Sequence, residues 1–167
     1  MTLEKLNALS SRDAVTLFRQ ACGSVRWAEE MARCRPFADR DRLFESAAAV
    51  WNSLPEQEWK SAFAHHPKIG DIKELRKRFP TTAALARKEQ EGLELTTEKV
   101  LKSLAEGNSL YEAKFGYIFI VCATGLSAEE MLSELRRRLN NTPADEILAA
   151  AAEQAKITKL RLAALVG

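Results

Sequence analysis

The sequence predicts an all-α, single-domain bundle of about eight or nine helices, with the domain spanning residues 1–167. Two observations predict this class: apolar residues recur at helical spacing along the chain, and no segment shows the alternation of a half-buried strand. Helix-capping signals separate the apolar stripes, and no repeat, low-complexity tract or linker divides the chain. A representative stripe is Leu43, Ala47, Val50, Trp51 and Leu54.

Capping residues give the predicted starts of the later helices. Ser109 with Glu112, and Ser127 with Glu130, are two capping boxes, in which an acidic side chain three residues after the cap bonds back to the cap's backbone N–H. Thr142-Pro143 predicts the start of the last helix, because proline is favoured at the first helical position.

Glycines give the predicted helix ends in the middle of the chain. One helix is expected to end at Gly92, and the next to run from a cap at Thr96 to Gly107. Gly116 is expected inside a helix, at a cost of about 1 kcal/mol relative to alanine that a packing or ligand-access role would explain.

Composition argues against several classes of protein. The 25 basic and 23 acidic side chains nearly balance, so there is no electrostatic reason to expect nucleic acid as a partner. No run of about 18 apolar residues predicts a membrane span. Cys22, Cys34 and Cys122 lack the CxxC spacing and are expected to be buried free thiols. Together with the lack of a signal-peptide pattern, they predict a cytoplasmic protein.

Both histidines lie in the segment FAHHPKIG, residues 63–70. Histidine is the side chain best suited to exchange a proton near neutral pH, and Pro67 disfavours helical geometry at His66. The alternative interpretation is that one histidine ends a helix and contacts its last carbonyl groups, and the spacing alone leaves open whether His65 or His66 enters a pocket. No metal site is predicted, because adjacent positions face different directions and there is no third histidine.

Two further groups suit the binding of a small polar ligand. Glu89-Gln90 offers a carboxylate that accepts N–H bonds beside an amide that both donates and accepts, which suits a ureide. Arg161 can hold a carboxylate through two parallel hydrogen bonds. The alternatives are an exposed helix end for the first and a surface arginine for the second.

Three motifs in this order resemble the 2-oxo-4-hydroxy-4-carboxy-5-ureidoimidazoline (OHCU) decarboxylase family. They are HPKIG at residues 66–70, EQ at 89–90 and YEAKFG at 111–116, and the resemblance covers nearly the whole chain. It implies a homodimeric carboxy-lyase that needs no cofactor and no metal. The implied reaction is the decarboxylation of a small ureidoimidazoline, OHCU, to (S)-allantoin in urate degradation.

The resemblance also implies the site. His66 and Glu89 are the expected catalytic residues. Ala86 departs from the family pattern, which often has serine three residues before the glutamate, so a hydroxyl contact is missing or replaced there. The expected substrate-binding residues are Pro67, Ala86, Glu89, Gln90, Phe119, Ile120, Val121, Cys122, Ala123 and Arg161.

Two other functions are compatible with the sequence. One is a non-catalytic helical module that binds a partner or a small ureide, which exposed amphipathic faces without a polar pocket would favour. The other is a related lyase acting on a different ureide, because the motifs define the pocket better than its exact ligand.

Overall fold

The computed structural model describes residues 1–67, positions 73, 75 and 77, and residues 87–167, with backbone only from 87 to 96. This part contains no strand, and none of its helices is long and apolar enough to cross a bilayer. The predicted all-α class is confirmed for these residues. The helices are α1 (Leu3–Ala8), α2 (Ser11–Ala21), α3 (Val25–Arg33), α4 (Arg40–Ser53), α5 (Glu56–Phe63), α6 (Arg87–Phe115), α7 (Ala128–Leu139) and α8 (Pro143–Leu165).

Contacts within the chain define two compact units. Unit 1 comprises Met1–His66 and Ile147–Gly167, and unit 2 comprises Pro67–Glu146. Unit 1 therefore contains α1 to α5 with most of α8, and unit 2 contains α6 and α7. The extent of a single domain over residues 1–167 stays a prediction.

Tryptophan side chains hold the helices of unit 1 together. The ring of Trp27 in α3 meets Phe18 of α2 edge to face, with ring centroids 6.0 Å apart, and its Nε1 donates to the carbonyl of Ala47 in α4 at 3.1 Å. Trp51 of α4 donates from Nε1 to the carbonyl of Ala151 in α8 at 3.0 Å. A buried N–H without a partner is costly, so these two bonds fix how α3 and α8 lie against α4.

In unit 2, the end of α6 is tied to the end of α7. Lys114, in the last turn of α6, donates from Nζ to the carbonyls of Leu139 and Asn141 at 2.6 and 3.0 Å, where a cation also complements the helix dipole. At 1.5 Å rise per residue, the 12 residues of α7 place its start roughly 18 Å from this end. The connecting segment 116–127 must cover that distance, and it does so without helix or strand.

The late capping predictions have mixed outcomes. The Ser127–Glu130 capping box is present in full, and α8 begins at Pro143 as predicted. The Ser109–Glu112 box is wrong: Ser109 lies inside α6, where its hydroxyl donates to the carbonyl of Ala105 at 3.2 Å. A capping-box pattern cannot distinguish a helix start from the same residues in a continuing helix.

The glycine predictions are wrong. Thr96, Gly92 and Gly107 all lie within the single helix α6. Gly107 is buried, and a Cβ there would lie 2.6 Å from Cδ2 of Leu135, so close packing against α7 explains this glycine. Gly116 is outside the helix: its φ is +80°, and its N–H donates to the carbonyl of Glu112 at 2.8 Å, which ends α6.

The three cysteines are free thiols, but their burial differs. Cys22 is buried as predicted and Cys122 is half-buried. The prediction is wrong for Cys34, which is exposed because it follows the last residue of α3.

We expect Gly107→Ala to destabilise the protein by roughly 1–3 kcal/mol, because the new methyl group overpacks the α6–α7 contact. The gain from removing a helix-interior glycine is only about 1 kcal/mol. In a Leu135→Ala background, where the methyl group has room, the same substitution should increase the free energy of unfolding. Urea denaturation of the four proteins measures this, and an equal effect in both backgrounds would contradict the packing account.

Candidate active site

Helix α5 ends immediately before the two histidines. Proline has no N–H and restricts the residue before it, so Pro67 prevents the helix from continuing through His66. The backbone N–H groups of His65 and His66 instead donate to the carbonyls of Ala62 and Phe63, at 3.2 and 3.1 Å. This tight turn places two neighbouring imidazoles in different environments.

His65 completes the end of α5. Its side chain is exposed, and Nδ1 donates to the carbonyl of Ser61 at 3.0 Å. Gly23 lies directly against it: a Cβ at position 23 would be 2.4 Å from Cγ and 2.5 Å from Cβ of His65. The helix-ending interpretation considered for one histidine therefore describes His65.

His66 is half-buried and faces α8. Its Nε2 lies 2.6 Å from Oε1 of Gln154, a fully buried side chain whose Nε2 in turn donates to the hydroxyl of Thr158 at 3.2 Å. An amide oxygen only accepts hydrogen bonds, so the imidazole nitrogen that faces it carries the proton. The neutral ring then has its lone pair on Nδ1, which is the nitrogen able to act as a base.

The surroundings of His66 favour the neutral form. Burial lowers the pKa of His66 below its ordinary value of 6.5, the bond to Gln154 raises it in part, and the charges of Arg161 and His65 lower it further. Between the folded-state pKa and 6.5, the unfolded chain binds a proton that the folded chain does not. This group's contribution to stability is therefore complete above pH 6.5 and falls as the pH decreases through that window.

Cys22 lies near these groups but is not a nucleophile. Burial raises the pKa of its thiol to about 11, against smaller opposing effects from a backbone hydrogen bond at Ser24 and from Thr158. The thiolate is the reactive form, so a thiol that stays protonated at neutral pH is a poor nucleophile.

Arg161 adds positive charge beside His66. It follows Gln154 by seven residues on α8, which is two helical turns, so both lie on one side of that helix. The Arg161 side chain is exposed, and Nη1 donates to the carbonyl of Ala21 at 3.4 Å. Unit 1 thus brings together His66, Gln154 and Arg161.

The other predicted site residues lie elsewhere. Pro67 is exposed. Ala86 and the side chains of Glu89 and Gln90 lie outside the described residues. The remaining five belong to segment 116–127 of unit 2, where the first two are buried and the others half-buried: Phe119, Ile120, Val121, Cys122 and Ala123.

Gln154 was missed by the sequence analysis, although a signal was present. Ala150, Gln154, Thr158 and Leu162 follow one another at four-residue spacing and are all buried, so two polar residues interrupt an apolar stripe. Buried polar side chains are almost always hydrogen-bonded, which makes such an interruption a pointer to a specific partner.

An apolar pocket of about 210 Å³ lies between α4 and α8 in unit 1. Thr158 contributes to its wall, but His66 is not among the lining residues. The lining is mainly apolar, and it offers few groups that could orient a polar ligand. The lining residues are Phe44, Ala47, Ala48, Trp51, Ala155, Lys156, Thr158 and Lys159.

Fold and site together define an all-helical protein in which a buried glutamine orients a half-buried histidine whose pKa is lowered by burial. A sequence profile of the OHCU decarboxylase family matches residues 7–163 of the chain. The chain therefore belongs to the OHCU decarboxylase family, which is a family of decarboxylases, and the resemblance drawn from its motifs is confirmed.

Individual relatives agree with this assignment. The chain is 34% identical over 148 residues to the uric acid degradation bifunctional protein TTL of Arabidopsis thaliana, covering 89% of this chain but 46% of that protein. It is 30% identical over 165 residues to the OHCU decarboxylase of Amia calva, covering 97% of this chain and 93% of the relative. The crystal structure of an OHCU decarboxylase in the presence of (S)-allantoin superposes with a TM-score of 0.71 at 36% identity, covering 89% of this chain and 96% of that one.

We expect Gly23→Ala to impair the site through His65. The new methyl group would overlap the base of the His65 side chain, which cannot swing away, so the turn that carries His66 has to shift. A displacement of about 1 Å in a catalytic group can cost on the order of 100-fold in rate. The kcat/KM for decarboxylation and the thermal midpoint should both fall, and His65→Gly in the same chain should restore them. No rescue by the second substitution would contradict this prediction.

Proposed function

We propose that the chain is a carboxy-lyase that converts OHCU to (S)-allantoin without a cofactor, with His66 as the acid–base residue. The observation that carries this proposal is a half-buried imidazole whose Nε2 is occupied by Gln154 and whose Nδ1 is left to exchange a proton. Membership in the decarboxylase family supports the substrate class.

The substrate supplies its own electron sink. The carbon that bears the carboxylate and the hydroxyl is next to a ring C=N bond. When the bond to CO2 breaks, its electron pair forms a C=C bond within the ring, and the C=N pair moves to nitrogen, which gains a proton. Loss of the hydroxyl proton and protonation of the ureido-bearing carbon then complete allantoin. This balance explains why no cofactor is required in the proposal.

In this scheme His66 is suited to both proton transfers. Nδ1 takes the hydroxyl proton, and the resulting imidazolium returns a proton to the ureido-bearing carbon, directly or through a water molecule. The depressed pKa of His66 makes the imidazolium a stronger acid. Delivery from one fixed position protonates a single face of a planar intermediate, which sets the S configuration.

The groups expected to bind the substrate have separate roles in the proposal. Glu89 accepts N–H bonds from the ureido arm or ring, assisted by Gln90, and Ala86 provides no hydroxyl. Arg161 orients the carboxylate before cleavage. A tight grip on that ground-state charge would oppose its loss, so the exposed position of Arg161 suits an orienting role.

The remaining substrate contacts involve the chain before and after α6. Pro67 lines the site next to His66, and backbone N–H groups within 119–123 bind the ring carbonyl or the negative charge that develops on it. A homodimer and a cytoplasmic location stay predictions of the sequence.

The proposal is tested with His66→Gln and, as a matched control, His65→Asn. Glutamine preserves a donor where Nε2 of His66 contacts Gln154 but removes the basic nitrogen. Asparagine likewise preserves the donor to the carbonyl of Ser61. We expect His66→Gln to lose about 100- to 10,000-fold in kcat, the usual contribution of general acid–base catalysis, and His65→Asn to remain active.

The assay generates OHCU from urate in the same cuvette and follows (S)-allantoin by circular dichroism. Uncatalysed protonation favours neither face, so only enzymatic turnover gives a lasting optical signal. Full optical activity with His66→Gln would remove His66 from the mechanism. If the protein without substitutions binds the ureide but the allantoin formed is racemic, the result would support the alternative function of a non-catalytic helical module.

A further inference from the structure

A fully buried ion pair, between Arg138 and Glu146, lies within unit 2. Arg138 of α7 donates from Nε to Oε1 of Glu146 at 2.8 Å, and Nη2 contacts the same oxygen. The hydroxyl of Tyr111 also donates to Oε1, and Nδ2 of Asn141 donates to Oε2 at 2.9 Å. Tyr111 and Asn141 therefore fix the carboxylate of Glu146, and the carboxylate in turn holds the guanidinium of Arg138 in one orientation.

The same guanidinium reaches the non-helical segment 116–127. Nη1 of Arg138 donates to the carbonyl of Ile120 at 2.5 Å, and the guanidinium carbon lies 4.7 Å from the ring centroid of Phe119. Ile120 and Phe119 are both buried. One side chain of α7 thus fixes a peptide group in a part of the backbone that lacks the hydrogen-bond ladder of a helix.

Stability alone does not explain this arrangement. Removing two charges from water costs several kcal/mol per ion, and apolar pairs of similar volume are often equally stable. A planar guanidinium with a fixed fork of donors, however, can hold a carboxylate and a carbonyl together. Arg138 is therefore better suited to orienting a peptide than to strengthening the core.

Orienting the Ile120 carbonyl has a consequence for the next residue. In a trans peptide the C=O and the N–H point in opposite directions, so the N–H of Val121 is directed away from Arg138. Positive charge at the carbonyl end also polarises the peptide and strengthens that N–H as a donor. We propose that Arg138, held by Glu146, is a positioning residue that aims the Val121 N–H at the ring carbonyl of the substrate, and this inference rests on the proposed function.

The test compares Arg138→Lys with Leu135→Ala, a cavity-forming control in the same helix. Lysine keeps the charge but lacks the fork that joins Glu146 to Ile120. We expect kcat to fall by about 10- to 100-fold, which is a smaller effect than removing an oxyanion-type donor altogether. The optical purity of the allantoin should also fall. KM should change less. Leu135→Ala should lower the thermal midpoint yet retain kcat and optical purity below that midpoint.

A second variant covers the case in which Arg138→Lys does not fold. Arg138→Met combined with Glu146→Leu removes both charges together, a replacement that is often tolerated, and should show the same loss of kcat and optical purity. Unchanged kcat and optical purity in a folded Arg138 variant would overturn the proposal. An equal loss in Leu135→Ala would also overturn it.

A readout without substrate separates this inference from the proposed function. In the folded Arg138 variant, NMR signals of the Ile120 carbonyl carbon and the Val121 amide should shift relative to the unchanged protein, whereas in Leu135→Ala they should stay. If the unchanged protein forms no excess of (S)-allantoin, the proposed function fails. The NMR signals still decide whether Arg138 orients the peptide, and unshifted signals in the folded variant would overturn that role.

Discussion

One hydrogen bond, between Nε2 of His66 and Oε1 of Gln154, fixes the orientation and the tautomer of the imidazole in unit 1. It connects the end of α5 to α8, which the indole of Trp51 already holds through the carbonyl of Ala151. Gln154 is itself anchored by Thr158, so the imidazole is positioned by the helical core. A histidine at a helix end would otherwise rotate in solvent, with its proton free to occupy either nitrogen.

Both units use polar side chains buried within apolar helix faces. Gln154 in unit 1 contacts the imidazole of His66, and Arg138 in unit 2 contacts the carbonyl of Ile120. Such groups contribute little net stability because burial removes them from water. Their effect is on orientation. Gln154 fixes the direction of the His66 imidazole, and Arg138 fixes the direction of the peptide group between Ile120 and Val121.

The sequence predicts features that depend on neighbouring residues and misses those that depend on packing. The helical periodicity, the Ser127 cap and the turn at Pro67 are local, and the structure contains all three. Gly107 resembled a helix end because nothing in the sequence shows that Leu135 occupies the space that a side chain at position 107 would need. The polar residues on the buried stripe of α8 indicate that Gln154 needs a partner, but they do not identify His66, which lies 88 positions away in the chain.

The most direct test of this account is a nitrogen-15 NMR titration of the His66 imidazole in the folded protein. We expect a pKa below 6.5 and, above it, a neutral ring with the proton on Nε2, because burial opposes the charge and the Gln154 oxygen accepts that proton. A pKa above 6.5 would contradict the account, because burial would then not favour the neutral ring. A neutral ring protonated on Nδ1 would also contradict it, because Nδ1 would then have no lone pair with which to take the substrate's proton.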